Sequence, residues 1–368
     1  MIGENNMNDE RYTVRAPGKL FIAGEYAITE PNQDSIVVAV DRYLSVEIQA
    51  SPFNRLDLPE MQLMNMQWNE KFGKAIFKKY HPRLRFIKHI LDTFYDYVDG
   101  HDPVHILVTS ELDSSSGKKY GLGSSAALSV AFLTALLKFS KQYERVNDRL
   151  TIFKLASIAH FRAQGNGSCA DIAASTYGGW INYRTFDSTW LVGQLNQGRS
   201  VKSLVETNWP GLKIVPLKQP DPLHFLIGWT KATARTAPMV AKVHRLKVNQ
   251  PNHYRYFLKV SQMAVEQMIS GFQAGKSDKV IAGMKANRSA LRALGIEANV
   301  PIETPKLTNL IEAALPFGAA KTSGAGGGDC GIAFIKQADE IEQVYRLWCE
   351  VGIEPLKLNV SAVGVKIN

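Results

Sequence analysis

Hydrophobic residues follow two different periods along the first half of the chain, and these periods predict its strands and helices. Two apolar runs flank Pro17-Gly18, and apolar and polar residues alternate over 35–50, so both regions are predicted as β-strands. Another strand is predicted at 105–112. The mostly apolar stretch at 124–139 predicts a buried helix, and a second helix is predicted at 151–163.

Three parts of the chain are less regular. Residues 51–69 have no clear period, and the apolar spacing over 71–98 predicts a helix that is interrupted at Pro82. Residues 184–222 combine short strand patterns with several prolines, which is typical of a boundary between domains.

The second half mixes both patterns again. Its predicted elements are a strand at 223–229, helices over 235–293, 306–315 and 339–351, and a final strand at 358–367. The chain is therefore predicted to form two α+β halves.

Composition narrows the class of protein. The 368 residues are 45% hydrophobic and 21% charged, with no run of about 20 apolar residues, so we expect a folded chain without a membrane-spanning segment. The first ten residues lack the pattern of a secretory signal, and three cysteines are too few for a disulfide scaffold. The resulting expectation is a cytoplasmic protein.

The charge balance indicates an anionic partner. Lysine and arginine number 43 against 34 aspartate and glutamate residues, which gives a formal net charge of +9. These basic residues are scattered rather than collected in one stripe, and this favours an anionic small molecule over nucleic acid.

The clearest candidate site is the segment 121–127, just before the long apolar helix. Glycines let a ligand approach the backbone, and the free amides at the start of a helix attract phosphate. Ser124 and Ser125 could cap the helix, contact phosphate oxygens or ligate Mg²⁺. The chain has no Walker A sequence, and a long loop before Gly121 differs from a Rossmann fingerprint.

Two further segments carry unusual residues. In 16–26, Lys19 and Glu25 lie within apolar strand sequence, where a charge should be paired or functional. In 321–330, four glycines precede a strand, which is costly unless the backbone makes close contacts there.

Together, the three segments resemble the three signature motifs of the GHMP kinase superfamily. APGKLFIAGEYA resembles the first motif, YGLGSSAAL the second and KTSGAGGGDCGIAF the third, in the order and spacing of the family. The resemblance implies an α+β fold of two domains with the active site in the cleft between them. It also implies a left-handed βαβ crossover in the N-terminal domain and a ferredoxin-like C-terminal domain. The expected limits are an N-terminal ATP-binding domain at 11–190, a connecting region at 191–214 and a C-terminal domain at 215–368.

The resemblance also implies roles for individual residues. Lys19 and Asp171 are expected to be catalytic and to lie close together, and Ser125 is expected to ligate Mg²⁺ beside ATP. The expected contacts to the ATP phosphates are Lys118, Gly121, Leu122, Gly123, Ser124, Ser125 and Ala126. The expected contacts to the substrate are Lys19, Tyr26, Gln164, Ser168, Ser323, Gly324, Ala325 and Gly326. Cys169 departs from the pattern, since the family has a glycine there.

Within the superfamily, the segments 159–171 and 228–240 are most similar to bacterial-type phosphomevalonate kinases. This similarity implies phosphorylation of (R)-5-phosphomevalonate to 5-diphosphomevalonate with release of ADP, in the mevalonate route to isopentenyl diphosphate and isoprenoids. His160 stands where mevalonate kinases usually carry a metal-binding glutamate, and we expect it to be buried or capped. The alternatives are mevalonate kinase, another small-molecule kinase of the superfamily, or a non-catalytic sensor with the same fold.

The expected partners are small molecules, namely ATP and phosphomevalonate, with no nucleic acid and no membrane. Homodimer formation is left open. Cys169 and Cys330 are expected to border the cleft, so alkylation should inhibit the enzyme. The candidates for holding anionic groups are Arg83, Arg85, Lys88, Lys118, Lys231 and Arg235.

Overall fold

The computed structural model describes residues 11–114, 117–142, 148–234 and 236–368, which form two β-sheets with helices packed against them. The strands are β1 (Arg11–Ala23), β2 (Asp34–Ala50), β3 (Arg55–Leu58), β4 (Leu63–Lys71), β5 (Lys74–Phe77), β6 (Val104–Ser110), β7 (Trp180–Arg184), β8 (Lys213–Leu217), β9 (His224–Trp229), β10 (Gly318–Thr322), β11 (Cys330–Ile335), β12 (Glu354–Leu356) and β13 (Lys366–Ile367). The helices are α1 (Arg85–Tyr95), α2 (Ser124–Phe139), α3 (Arg149–Gln164), α4 (Ala170–Tyr177), α5 (Ser188–Asn196), α6 (Val201–Glu206), α7 (Thr236–Asn249), α8 (Pro251–Gln273), α9 (Ser277–Glu297), α10 (Pro305–Ala314) and α11 (Ile341–Glu350).

The first sheet is organised around the long strand β2. Most of β2 pairs with β1, while its first residues also pair with β7 and its last residues with β6. The order across the sheet is β13-β1-β2-β6-β3-β4-β5, and β7 and β8 extend it beside β2. Helices α2 and α4 pack against β1 and β2. The sheet and these helices therefore share one large apolar core.

The second sheet is antiparallel and has the order β10-β11-β9-β12. Helices α10 and α11 cover one apolar cluster on this sheet. Helices α7, α8 and α9 enclose a separate apolar cluster together with Tyr26 and Ala27. The predicted α+β fold with two halves is confirmed. The limits of the domains stay a prediction, and two strands from the second half, β8 and β13, join the first sheet.

The predicted helix at 71–98 is wrong in its first part. Residues Lys74–Phe77 form strand β5, which is joined to β4 by a turn with Phe72 at φ +54° and Gly73 at φ +69°. Two successive residues with positive φ are typical of a tight β-hairpin. The helix begins only at Arg85, beyond Pro82. The apolar residues of β5 and of the later helix α1 together follow a spacing that is typical of one helix.

Other irregular parts of the chain also differ from the prediction. Residues 51–69 contain β3 and β4, and the region 184–222 contains α5 and α6 besides its strands. Each of these helices has a capping side chain, Asp187 bonding Trp190 N and Ser200 bonding Ser203 N. Such caps are the local signal that periodicity misses.

The predicted final strand at 358–367 is mostly not a strand. Only Lys366–Ile367 pairs with β1, apart from an isolated bridge between Val40 and Val360. Gly364 lies so close to α4 that a Cβ atom there would be 2.1 Å from the Thr176 carbonyl oxygen.

No helix in the described ranges combines the length and the apolar character that a membrane span requires.

A buried ion pair joins the two sheets. Glu25 follows β1 of the first sheet, Lys321 belongs to β10 of the second, and their side chains bond to each other with almost no exposure to solvent. Lys321 Nζ also donates to the Thr322 carbonyl oxygen at 2.6 Å. Burial lowers the pKa of Lys321, and the negative charge of Glu25 opposes that shift. Removal of either partner alone would leave a buried charge without its counter-charge.

We predict that Lys321→Met destabilises the protein by about 3–5 kcal/mol, because Glu25 would then be buried without its cation. The double variant Glu25→Gln/Lys321→Met should be more stable than Lys321→Met alone. Chemical unfolding followed by circular dichroism measures both changes. Lys336→Met is the matched control, since Lys336 pairs with Asp278 at the surface and such pairs contribute about 0–1 kcal/mol. Equal losses for Lys321→Met and Lys336→Met would contradict the prediction.

Candidate active site

Strand β1 carries Lys19 into the cleft between the two sheets. Just before it, the pairing of β1 with β2 is irregular between Pro17 and Gly18, and the Lys19 amide donates to the Leu122 carbonyl oxygen at 2.9 Å. The Lys19 Nζ atom lies 3.3 Å from Asp171 Oδ2. The Lys19 side chain is only 10% exposed, and its aliphatic part lies against Gly123. The segments 16–26, 121–127 and 321–330 are called the first, second and third glycine segments below.

Helix α4 presents Asp171 in its first turn, where a negative side chain is favoured by the helix dipole. The helix follows Cys169, whose φ of +58° is a left-handed conformation that glycine adopts most easily. The cysteine therefore keeps the backbone that the glycine of the family would have. The preceding carbonyl oxygen of Ser168 is fixed by Tyr183 OH at 2.5 Å and by Thr185 Oγ1 at 3.1 Å.

The second glycine segment leads into α2 and packs directly against side chains of the other two. A Cβ atom at Gly123 would lie 2.8 Å from Lys19 Cε, and one at Gly121 would lie 2.7 Å from Asp329 Cβ. Both glycines also have positive φ. Gly123 is the N-cap of α2 and provides no capping side chain, and the first two residues of the helix, Ser124 and Ser125, line the cleft.

The third glycine segment bonds to the first. Ser323 Oγ donates to the Phe21 carbonyl oxygen at 2.8 Å, and Tyr26 OH donates to the Ala325 carbonyl oxygen at 2.6 Å. Burial raises the pKa of Tyr26, and the neighbouring Glu25 adds to this effect, so the phenol stays a donor. Together with the buried ion pair, these bonds hold the two segments against each other.

Two adjoining cavities occupy the cleft. The larger, about 300 Å³, is lined by polar and small residues of all three glycine segments. The smaller, about 190 Å³, is mostly apolar and is lined by β1, the segment after it, and α7. Phe21, Thr236, Gly324 and Ala325 border both cavities. The site therefore offers a polar compartment next to an apolar one.

Most of the residues predicted from the sequence lie in these cavities, although their roles stay predictions. The larger cavity is lined by Lys19, Gly121, Leu122, Gly123, Ser124, Ser125, Asp171, Ser323, Gly324, Ala325 and Gly326. The smaller is lined by Tyr26, Ser168, Gly324 and Ala325. Neither lining includes Lys118, Gln164 or Ala126, of which the first two are exposed and the third is buried in α2.

The basic residues suggested for anion binding lie elsewhere. Lys88 pairs with Asp92 at 2.7 Å, Lys231 pairs with Glu354 at 3.0 Å, and Arg83 donates to a backbone carbonyl. Neither these three nor Arg85 lines either cavity. Arg235 lies outside the described residues.

Several residues that line the cavities were not among the individual contacts expected from the sequence. Lys119, rather than Lys118, borders the larger one, together with Asp329 and Thr236. His244 and Lys247 of α7 border the smaller one. Asp329 has a signal in the sequence, since it is the acidic residue that directly follows the last glycine of the third glycine segment. The α7 residues had no signal of their own, because only the packing of α7 brings them to the cleft.

His160 lies behind the loop that leads into α4, where a Cβ atom at Gly167 would be 2.9 Å from His160 Nε2. Burial lowers its pKa, with Asp171 opposing the shift, so the imidazole is neutral at neutral pH. Its Nδ1 atom is buried without a hydrogen-bond partner among the described residues. In the described ranges, no cluster of three or more histidine, cysteine, aspartate or glutamate side chains is arranged to hold a metal ion.

Comparison with known proteins agrees with this geometry. The model for the GHMP kinase N-terminal domain matches residues 84–179, and the model for the GHMP kinase C-terminal domain matches residues 268–354. The chain is 32% identical to phosphomevalonate kinase from Streptomyces sp. (strain CL190), over 97% of this chain and 99% of that protein.

Two solved structures are similar over nearly their whole length. A Lin0012 protein from Listeria innocua has a TM-score of 0.91 and 36% identity, covering 98% of this chain and 99% of that one. Phosphomevalonate kinase from Streptococcus pneumoniae, in complex with phosphomevalonate and AMPPNP, has a TM-score of 0.82 and 29% identity, covering 95% and 99%.

The three thiols differ in their exposure to solvent. Cys330 lines the larger cavity, but Cys169 belongs to the apolar core, and burial raises the pKa of both, that of Cys169 to about 12. Cys349 is exposed.

We therefore predict that iodoacetamide at pH 8 modifies Cys349 first and leaves activity intact, because only about one Cys169 side chain in 10⁴ is a thiolate at that pH. Peptide mass spectrometry alongside an activity assay measures this. Inactivation that parallels modification of Cys169 would contradict it.

We also predict that Gly123→Ala lowers kcat/KM by about 10²-fold, because the new Cβ would displace the Lys19 side chain. Gly117→Ala is a matched control: Gly117 has φ +75°, against +78° at Gly123, but a Cβ there would meet nothing within 4 Å. Both variants carry the strain of alanine at positive φ, about 1–2 kcal/mol. If Gly117→Ala lost as much activity as Gly123→Ala, backbone strain rather than the position of Lys19 would explain the loss.

Proposed function

The chain belongs to the GHMP kinases, and from that premise we propose that it transfers the γ-phosphoryl group of ATP to (R)-5-phosphomevalonate, yielding 5-diphosphomevalonate and ADP. The observation that carries this proposal is the pair of adjoining cavities, with Lys19 and Asp171 at the polar one. The similarity to phosphomevalonate kinases over nearly the whole chain supports the choice of acceptor. Such a reaction belongs to the mevalonate route to isoprenoids.

The larger cavity suits the nucleotide phosphates. Ser124 and Ser125, at the start of α2, line it, and Lys19 and Lys119 supply positive charge. A helix N-terminus of this kind binds phosphate through its amides and its dipole. The smaller cavity would then hold the carbon skeleton of the acceptor, with the accepting phosphate directed toward the residues that border both cavities.

Mg²⁺ fits the donor set of the larger cavity. Ser124, Ser125 and Asp171 line it, and Mg²⁺ in such sites binds one or two protein oxygens together with substrate phosphates. Ser125 would hold the ion, as the family pattern implies. When bound, Mg²⁺ neutralises negative charge on the triphosphate.

Lys19 is assigned the main role in the reaction. The acceptor is a phosphate, whose second pKa near 6 makes it an ionised nucleophile at neutral pH, so little proton removal is required. The barrier then comes chiefly from bringing anions together, and Lys19 would stabilise the charge that develops on the transferred group. Asp171 would hold the Lys19 ammonium in position across their 3.3 Å contact and orient the acceptor.

A coupled assay of ADP release with a panel of acceptors tests the proposed function. Phosphomevalonate should be turned over with a kcat/KM at least about 10²-fold above those of mevalonate, galactose and homoserine, because an active site built for one acceptor leaves polar groups unpaired with the others. Preference for mevalonate would overturn the assignment of the acceptor. The absence of turnover with every acceptor would favour a non-catalytic sensor.

The roles of the two catalytic candidates predict unequal losses. Lys19→Met should lower kcat by about 10³-fold, since the charge that stabilises the transition state is removed. Asp171→Asn should cost less, about 10- to 10²-fold, because an ionised acceptor has little need of a base. Lys336→Met provides the matched control at the surface. A larger loss for Asp171→Asn than for Lys19→Met would contradict this order of importance.

A further inference from the structure

Asp329 lies where the nucleotide side of the cleft meets the segment that leads into α7. It ends the third glycine segment with a φ of +50°, and its carboxylate lines the larger cavity. The side chain lies against the backbone at Gly121, where a Cβ atom would be 2.8 Å from Asp329 Oδ2.

Four hydrogen bonds connect Asp329 to the residues between β9 and α7. Its amide donates to the Ala232 carbonyl oxygen at 2.6 Å, and its carbonyl oxygen accepts from Thr230 N and Thr230 Oγ1, both at 2.9 Å. Its Oδ1 atom accepts from the Ala234 amide at 3.1 Å. Of these bonds, only the one to Ala234 depends on the side chain of Asp329.

The segment 230–234, to which Asp329 bonds, leads toward α7 and sets its position. The backbone of the third glycine segment packs against it so closely that a Cβ at Gly327 would be 2.7 Å from Met239 Sδ, and one at Gly328 would be 2.7 Å from the Ala232 carbonyl oxygen. Thr236, the first residue of α7, borders both cavities. Further along, Val240, Val243, His244 and Lys247 line the smaller cavity.

The charged groups near Asp329 include two lysines of the larger cavity. Burial raises the pKa of this carboxyl group, whereas the Ala234 amide and the ammonium groups of Lys19 and Lys119 lower it. Those two lysines line the cavity proposed for the phosphates. Asp329 therefore bonds to the segment that leads into α7 and also lies near Lys19 and Lys119 of the larger cavity.

We infer that Asp329 is a positioning residue: its hydrogen bond to Ala234 sets the start of α7 and thereby shapes the acceptor cavity. This inference rests on the proposed function for the identity of the acceptor. Asp329 itself need not touch either substrate. Its loss should weaken acceptor binding more than nucleotide binding.

Three variants test the inference. Asp329→Ala removes the acceptor atom of the hydrogen bond and should raise the KM for phosphomevalonate about 10- to 10²-fold, with the KM for ATP changed less than about twofold. Asp329→Asn retains a side-chain oxygen for the Ala234 amide and should stay within about threefold of the wild type for both. Thr230→Val removes a bond to the Asp329 carbonyl oxygen with little change in shape, and it should have an intermediate effect in the same direction.

Hydrogen exchange provides a readout that does not require turnover. Peptides that cover 236–249 should exchange faster in Asp329→Ala than in the wild type or in Asp329→Asn, while peptides from α11 should be unchanged. Equal increases of both KM values, an Asn variant as impaired as the Ala variant, or unchanged exchange at α7 would each overturn the inference. Failure of the wild type to use phosphomevalonate would instead defeat the proposed function, and the exchange comparison would still stand.

Discussion

The cleft depends on the buried ion pair between Glu25 and Lys321. The three glycine segments come from distant parts of the chain and from elements of both sheets, so a long-range interaction must hold them next to each other. A buried pair of opposite charges is suited to this task, because any shift that separates the partners leaves each of them unpaired in a medium of low dielectric constant. Next to it, the bonds from Tyr26 to Ala325 and from Ser323 to Phe21 extend the same junction toward the cavities.

Given this junction, the close packing around Gly121 and Gly123 explains why these two positions are glycines. Gly123 leaves room for the side chain of Lys19, and Gly121 leaves room for that of Asp329. The second glycine segment thus accommodates one charged side chain from each of the other two segments. This arrangement brings Lys19, Lys119, Asp171 and Asp329 around one cavity and leaves an apolar cavity beside it.

Much of the fold could be predicted from local patterns. The bounds of α2 follow from a mostly apolar segment, β1 follows from the two apolar runs around Pro17-Gly18, and β2 follows from alternation. The hairpin at Phe72-Gly73 was missed because a short strand and a following helix share an apolar spacing. Helices α5 and α6 were missed because their signals are the caps Asp187 and Ser200 rather than a periodic face.

The site could be predicted only as far as its motifs extend. The approach of Lys19 to Asp171 was expected from the motif resemblance, and the two residues do lie together. The choice between Lys118 and Lys119 depends on the direction of one side chain in a loop, which composition does not encode. The lining supplied by Thr236, His244 and Lys247 depends on how α7 is packed against the third glycine segment, a long-range contact that local sequence does not reveal.

The central claim is that two substrates meet at Lys19 from adjoining cavities. A crystal structure with phosphomevalonate, Mg²⁺ and a non-hydrolysable ATP analogue tests it most directly. The account predicts the γ-phosphate in the larger cavity, the acceptor in the smaller one, and Lys19 Nζ within about 3 Å of an oxygen of the transferring or accepting phosphate. An acceptor bound outside the smaller cavity, or phosphates that lie out of reach of Lys19, would contradict it.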